Sequence, residues 1–127
     1  KELKFREGAV VDLGGAENLP KDLDVSMCLR VGLAYCNLEG VKELEFKERS
    51  FVNLYRAENL PKELDVSKCF EVDFRGCDLS GVKEIKFKNK KQEEEFMREA
   101  KHFSGKIVYV GEENKVNTMP VNGGMEM

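Results

Sequence analysis

Tryptophan is missing from this 127-residue chain, and histidine occurs once. A single imidazole cannot build a multi-histidine metal site, and no serine or cysteine nucleophile is tied to His102 by a motif. Its place near the end of an expected helix is explained by the helix dipole instead. Charge of one sign is also lacking: 21 Lys plus Arg stand against 24 Asp plus Glu, for a net charge of −3. Electrostatic capture of nucleic acid or of an anionic membrane is therefore not expected. No apolar run approaches the ~18 residues that span a bilayer, so membrane insertion is not expected, and no signal-type segment opens the chain. The chain begins at Lys1, already in phase with its internal repeat, as expected of a processed or excised piece of a longer protein.

What is present is repetition. Ala16-Glu17-Asn18-Leu19-Pro20-Lys21 returns at Ala57 through Lys62, and residues 1–41 match 42–82 at 23 positions. A third copy starts at Lys83-Glu84-Ile85-Lys86-Phe87-Lys88 and stops. The unit is itself double, because Lys1-Glu2-Leu3-Lys4-Phe5 recurs at residues 21–25, 42–46, 62–66 and 83–87. Each of these segments alternates charged and apolar residues, the period of a strand with one buried face. A second short strand follows in each coil, at Val11/Leu13, Val31/Leu33, Val52/Leu54 and Val72/Phe74. Gly40-Val41, Gly81-Val82, Leu19-Pro20 and Leu60-Pro61 mark the corners.

A repeat of this length signals stacked units that contact mainly their neighbours. The expected fold is mainly β, a right-handed β-solenoid of leucine-rich-repeat-like coils of 20–21 residues over residues 1–88. Residues 89–111 are expected to form a helix-plus-strand cap, and 112–127 a flexible tail. Asn89-Lys90-Lys91-Gln92 reads as a variant capping box. Phe96, Met97, Ala100 and Phe103 then form an apolar helix face, with Gly105 as the stop.

The chain serves as its own alignment. Positions constant between the two units should build the scaffold. Leu33/Phe74, Val10/Phe51 and Leu29/Phe70 exchange one apolar residue for another, as inward slots do. Gly8/Arg49, Gly14/Tyr55, Gly15/Arg56, Arg30/Glu71, Gly32/Asp73, Ala34/Arg75 and Tyr35/Gly76 vary freely and should face water.

Several stretches resemble the leucine-rich repeat superfamily in its short, irregular bacterial forms. Val31-Gly32-Leu33-Ala34-Tyr35-Cys36-Asn37-Leu38 and Val72-Asp73-Phe74-Arg75-Gly76-Cys77-Asp78-Leu79 both fit L-x-L-x-x-N/C-x-L. Leu60-Pro61-Lys62-Glu63-Leu64-Asp65-Val66-Ser67-Lys68-Cys69 is similar to the repeats of secreted bacterial effectors, and the paired strands look like BspA-type surface repeats. The pattern departs from the family at Arg49, where Asn or Cys would stand. A pentapeptide-repeat β-helix is a second reading, carried by Asp73 through Gly81 and broken at Val82-Lys83-Glu84-Ile85. The leucine-rich repeat resemblance implies a secreted or cell-surface parent and a recognition surface for protein.

The cysteines are equivalent in pairs, Cys28 with Cys69 and Cys36 with Cys77. Their seven-residue spacing within a unit is unlike a zinc site. Equivalents two coils apart would lie ~9–10 Å apart, too far for a disulfide. Buried thiols packed as small apolar residues are expected. Asp24/Asp65 with Ser26/Ser67 lack the loop of a calcium site and read as turn caps, and Asn18 and Asn59 as corner residues. Lys83, Lys86, Lys88, Lys90 and Lys91 read as a solvated strand edge that discourages further pairing.

No cofactor, metal or catalytic residue is expected. The expected function is a non-catalytic module for protein binding or surface scaffolding. Tyr35, Tyr55, Arg56, Asp73 and Arg75 are its candidate contacts, since Tyr and Arg dominate binding hot spots. The alternative is a set of substrate-recognition repeats in a larger bacterial effector enzyme whose catalytic domain lies elsewhere. The first coil presents uncovered apolar slots, which further repeats or a homodimer through the N-terminal coil would bury.

Overall fold

The computed structural model describes residues 3–100 and 103–111. The expectations for His102 and for residues 112–127 lie outside this range. Among the described residues the strands are β1 (Leu3–Lys4), β2 (Ala9–Asp12), β3 (Leu23–Asp24), β4 (Cys28–Gly32), β5 (Phe51–Asn53), β6 (Glu63–Asp65), β7 (Glu71–Asp73), β8 (Glu84–Phe87) and β9 (Lys106–Tyr109), with the helix α1 (Lys90–Phe96) after β8. Every pairing is parallel, in the orders β1-β3, β2-β4-β5-β7 and β6-β8-β9. The chain is a β-solenoid of about five turns.

Like stacks on like. Val11 pairs with Val31, Val31 with Val52, and Val52 with Val72 on one face, and Leu64 with Ile85 and Ile85 with Ile107 on another. One coil is therefore 20 or 21 residues, and the 41-residue repeat is two coils. Leu33, Leu54 and Phe74 are almost wholly buried in the column between the faces. Each such side chain stabilises the fold by ~1.5–3 kcal/mol.

The strands are short because side-chain oxygens end them. Asp12, Asn53 and Asp73 accept hydrogen bonds from the backbone N–H two residues on, at Gly14, Tyr55 and Arg75 (2.9, 2.9 and 3.0 Å). Asp24 and Asp65 do the same toward Ser26 and Ser67, and accept their hydroxyls at 2.6 Å. The aspartates are turn caps, as their spacing suggests. Ser26 holds the Asp24 carboxyl below its usual value through these bonds.

Four features differ from the sequence reading. Residues 42–46 form no strand, although their equivalents in the first, second, fourth and fifth coils do. Charge explains the gap. The paired strands set Lys4 opposite Asp24 and Asp65 opposite Lys86. Glu43 and Glu45 would instead stack between Asp22 and Glu63 and between Asp24 and Asp65, and like charges directly opposite destabilise a ladder. The one like pair that does form, Glu63 with Glu84, adjoins the favourable Asp65–Lys86 pair.

Second, the lysine-rich segment is no edge. β8 is the central strand of its sheet, between β6 and β9. Third, Val10, Leu29 and Phe70 point outward, at 69%, 38% and 64% exposure. Val10 alternates with inward Val11, and a register shift lies between Ala9 and Val10, whose partners Cys28 and Arg30 leave Leu29 unpaired between them.

Fourth, the helix ends at Phe96, with Met97 as its C-cap, and does not run on to Phe103. The chain must return to pair β9 with β8, and Gly105 lets it approach closely: a Cβ there would lie 2.7 Å from the Lys83 carbonyl oxygen. The cap itself is present. Phe96 is 6% exposed and its ring centroid is 6.4 Å from that of Phe87. Asn89 Oδ1 accepts from Gln92 N at 2.9 Å, while Gln92 Oε1 accepts from the N–H of Lys88, one residue before the N-cap.

Candidate functional site

At the C-terminal end of the four-stranded sheet, equivalent corners stack in a column: Gly15, Tyr35, Arg56 and Gly76. All four have left-handed backbone, with φ of 79°, 61°, 56° and 66°. Glycine adopts this conformation freely, whereas an L-residue there costs ~1–2 kcal/mol. The two middle coils thus carry large side chains where the outer coils carry glycine. Tyr35 is 58% exposed and Arg56 is exposed. Gly76 accommodates its neighbour, because a Cβ on it would lie 2.8 Å from Arg56 Cγ.

Tyr55, one residue before the column, is the hub. Its ring meets Tyr35 edge to face, with centroids 5.4 Å apart. The guanidinium carbons of Arg56 and Arg75 lie 5.6 and 5.2 Å from its centroid. Arg75 in turn clasps Asp73 with two bonds, Nε to Oδ1 at 3.0 Å and Nη2 to Oδ2 at 2.9 Å. The five candidates read from the sequence therefore form one connected group across three coils. The Arg56 guanidinium draws the Tyr55 phenol below its ordinary value, with Tyr35 and Arg75 adding to it. Arg75 likewise holds Asp73 low.

The patch is cationic and aromatic. Arg56 has no carboxylate partner among the described residues, whereas Arg75 is already paired. Side chains fixed by ring contacts and a fork-shaped ion pair lose little freedom when a partner arrives. Nothing in the group supplies a nucleophile with a base beside it.

At the other end of the same strands lies a surface that the sequence reading placed inside. Phe51 and Phe70 have ring centroids 5.1 Å apart, and the Arg30 guanidinium carbon sits 4.3 Å above the Phe51 ring. Between the two ends a depression of about 420 Å³ is lined by Arg30, Gly32, Phe51, Asn53, Glu71 and Asp73. Gly32 stands where the equivalent coils carry Asp or Asn, and a Cβ there would lie 3.0 Å from Asp12 Oδ1. Parity was the available signal, since Val10 and Phe51 sit one residue out of step with inward Val11 and Val52.

All four cysteines are buried and free. Cys36 Sγ donates to the Leu13 carbonyl at 2.9 Å, and Ser50 Oγ donates to Cys69 Sγ at 3.6 Å. Burial pushes the Cys69 and Cys77 thiols up to about 12. Among the described residues no group of three or more His, Cys, Asp or Glu is placed to hold a metal ion, and no helix is long and apolar enough to cross a membrane. Gln92, unremarked in the sequence beyond its capping role, is buried and donates to the carbonyls of Ser67 and Cys69, both at 3.2 Å. It pins the cap to the coil below. No family model, no curated protein and no solved structure matches this chain.

Proposed function

We propose that the chain is a non-catalytic solenoid module that binds a protein through Tyr35, Tyr55, Arg56, Asp73 and Arg75. The leucine-rich repeat resemblance belongs to this proposal. One observation carries it: Tyr35 and Arg56 occupy left-handed corners where the sister coils use glycine. Strained residues of this kind persist where something other than folding selects them, and here they converge on one half-buried aromatic hub, Tyr55. The fitting partner is a protein surface offering a carboxylate to Arg56 and an apolar or aromatic face to Tyr35. In the second reading the same patch selects substrates for a catalytic domain elsewhere in a bacterial effector. The patch supports both, because each needs only recognition from these coils.

The test is selection of a displayed random-peptide library on the protein, followed by amide shift mapping of the recovered peptides. The expected result is that shifts concentrate at residues 34–36, 54–57 and 73–76, and that recovered sequences are acidic. Recovered peptides that map elsewhere, or that ignore charge, would contradict the reading.

A further inference from the structure

The stretch that fails to form a strand leaves the solenoid open on one face. Among the described residues no backbone hydrogen bond joins residues 42–46 to the coil on either side. Pairing on the other face runs unbroken through β2, β4, β5 and β7. The β6 edge that faces the gap is unpaired as well, since β6 bonds only to β8. Leu44 and Phe46 are nonetheless 3% and 4% exposed. Their backbone groups are thus largely removed from water without a protein partner, a costly condition that an added hydrogen-bonding segment relieves.

Between the third and fourth coils the opening is a groove of about 800 Å³, walled by Val41, Leu44, Leu60, Pro61 and Leu64. Five carboxylates line it, at Glu39, Glu43, Glu45, Glu63 and Asp65, against three lysines, at Lys42, Lys62 and Lys86. Lys86 lies opposite Asp65 in the β6–β8 ladder. The groove is therefore acidic along its open edge and apolar beneath. It shares no residue with the Tyr55 patch.

We propose that this groove is a docking slot for an extended, basic segment of a partner protein, which adds to the free edge of β6 as a strand. The backbone edge supplies the ladder. The apolar floor is itself closed, with Val41, Leu44, Leu60, Pro61 and Leu64 all buried, so recognition rests on the ladder and on the exposed Glu43, Glu45 and Glu63. The charge pattern that keeps the solenoid from zipping shut is the pattern that recruits a lysine- or arginine-rich strand, because opposite charges facing each other across a ladder stabilise it.

The test uses the full chain and the acetylated, amidated peptide Lys-Val-Lys-Val-Lys, followed by amide shifts and hydrogen exchange. The expected result is saturable shifts and slowed exchange at residues 42–46 and 63–65. The equally charged Lys-Pro-Lys-Pro-Lys, which cannot complete a ladder, should bind at least 10-fold more weakly. Glu45→Lys should weaken the basic peptide by a similar factor. Should that variant zip shut or misfold, Glu45→Gln, which removes only the charge, must still weaken binding several-fold. Equal binding of the proline peptide, or of Glu-Val-Glu-Val-Glu, would overturn the proposal. So would shifts confined to other faces, no binding at millimolar peptide, or a concentration-dependent protection of 42–46 without peptide, which would assign the groove to a second copy. The Tyr35→Gly/Arg56→Gly variant should bind Lys-Val-Lys-Val-Lys unchanged, so failure of the Tyr55 patch reading leaves this result distinguishable.

Discussion

Replacing Gly76 by alanine tests whether the corner column is shaped around Arg56. Position 76 has φ 66°, so any L-residue there carries ~1–2 kcal/mol of backbone strain. The new Cβ would also sit 2.8 Å from Arg56 Cγ, a stem atom that moves only by swinging the guanidinium off the Tyr55 ring. That displacement forfeits a cation–π contact of ~0.5–1 kcal/mol at an exposed site. Gly76→Ala should therefore cost ~2–3 kcal/mol in the parent chain. In an Arg56→Gly background only the backbone strain remains, and the cost should fall to ~1–2 kcal/mol. Urea unfolding of the four members of this cycle measures a coupling of about 1 kcal/mol between the two positions. Costs that add within ~0.3 kcal/mol would show that Arg56 does not rest on Gly76, and the packing argument for the column would fail.

Phe96→Ala removes the ring that α1 sets against Phe87 and should destabilise the chain by ~3–5 kcal/mol; an unchanged melting temperature would mean that the helix is not docked. The four cysteines should react with a thiol reagent only after denaturation, and rapid native reactivity would contradict their burial. Because Cys69 and Cys77 are held up to about 12 from an ordinary value of 9.0, the unfolded chain ionises first as pH rises. Their contribution is fully present below pH 9 and is lost progressively between 9 and 12, which pH-dependent urea unfolding of the Cys69→Ala/Cys77→Ala variant against the parent should register as a flatter alkaline limb. Phe5, Val11, Leu13 and Leu19 in the first coil are only half-covered; pairing of two copies through this coil should appear as concentration-dependent sedimentation, and a strict monomer with slow exchange over residues 4–13 would refute it.

The fold was legible because the sequence compares itself with itself. The step of 20 or 21 residues appears directly in the pairings Val31–Val52 and Val52–Val72. Aspartate and serine at fixed offsets announced the turns that end the strands. The five patch residues were found as variable slots, but their meeting at Tyr55 was not readable. It depends on side-chain directions at left-handed corners, and the sequence hints at these only where glycine in one coil faces Tyr35 or Arg56 in the next. The split at residues 42–46 escaped because apolar alternation alone says strand. The charges of Glu43 and Glu45 matter only against Asp22, Asp24, Glu63 and Asp65, which the coil register sets opposite them. The outward Val10, Leu29 and Phe70 escaped because apolar identity alone says inward, whereas Val10 sits one residue out of step with Val11 and a register shift leaves Leu29 unpaired.

The central claim is that Tyr35 and Arg56 are kept for recognition and not for folding. Its most direct measurement is the dissociation constant of a library-selected peptide for the parent chain and for Tyr35→Gly/Arg56→Gly. Glycine suits both corners, so the variant should be no less stable than the parent. Hot spots of ~2 kcal/mol or more each should together weaken binding by ~10³-fold when removed, and by at least ~30-fold where only one of the two contributes. Unchanged affinity in a fully folded variant would contradict the account.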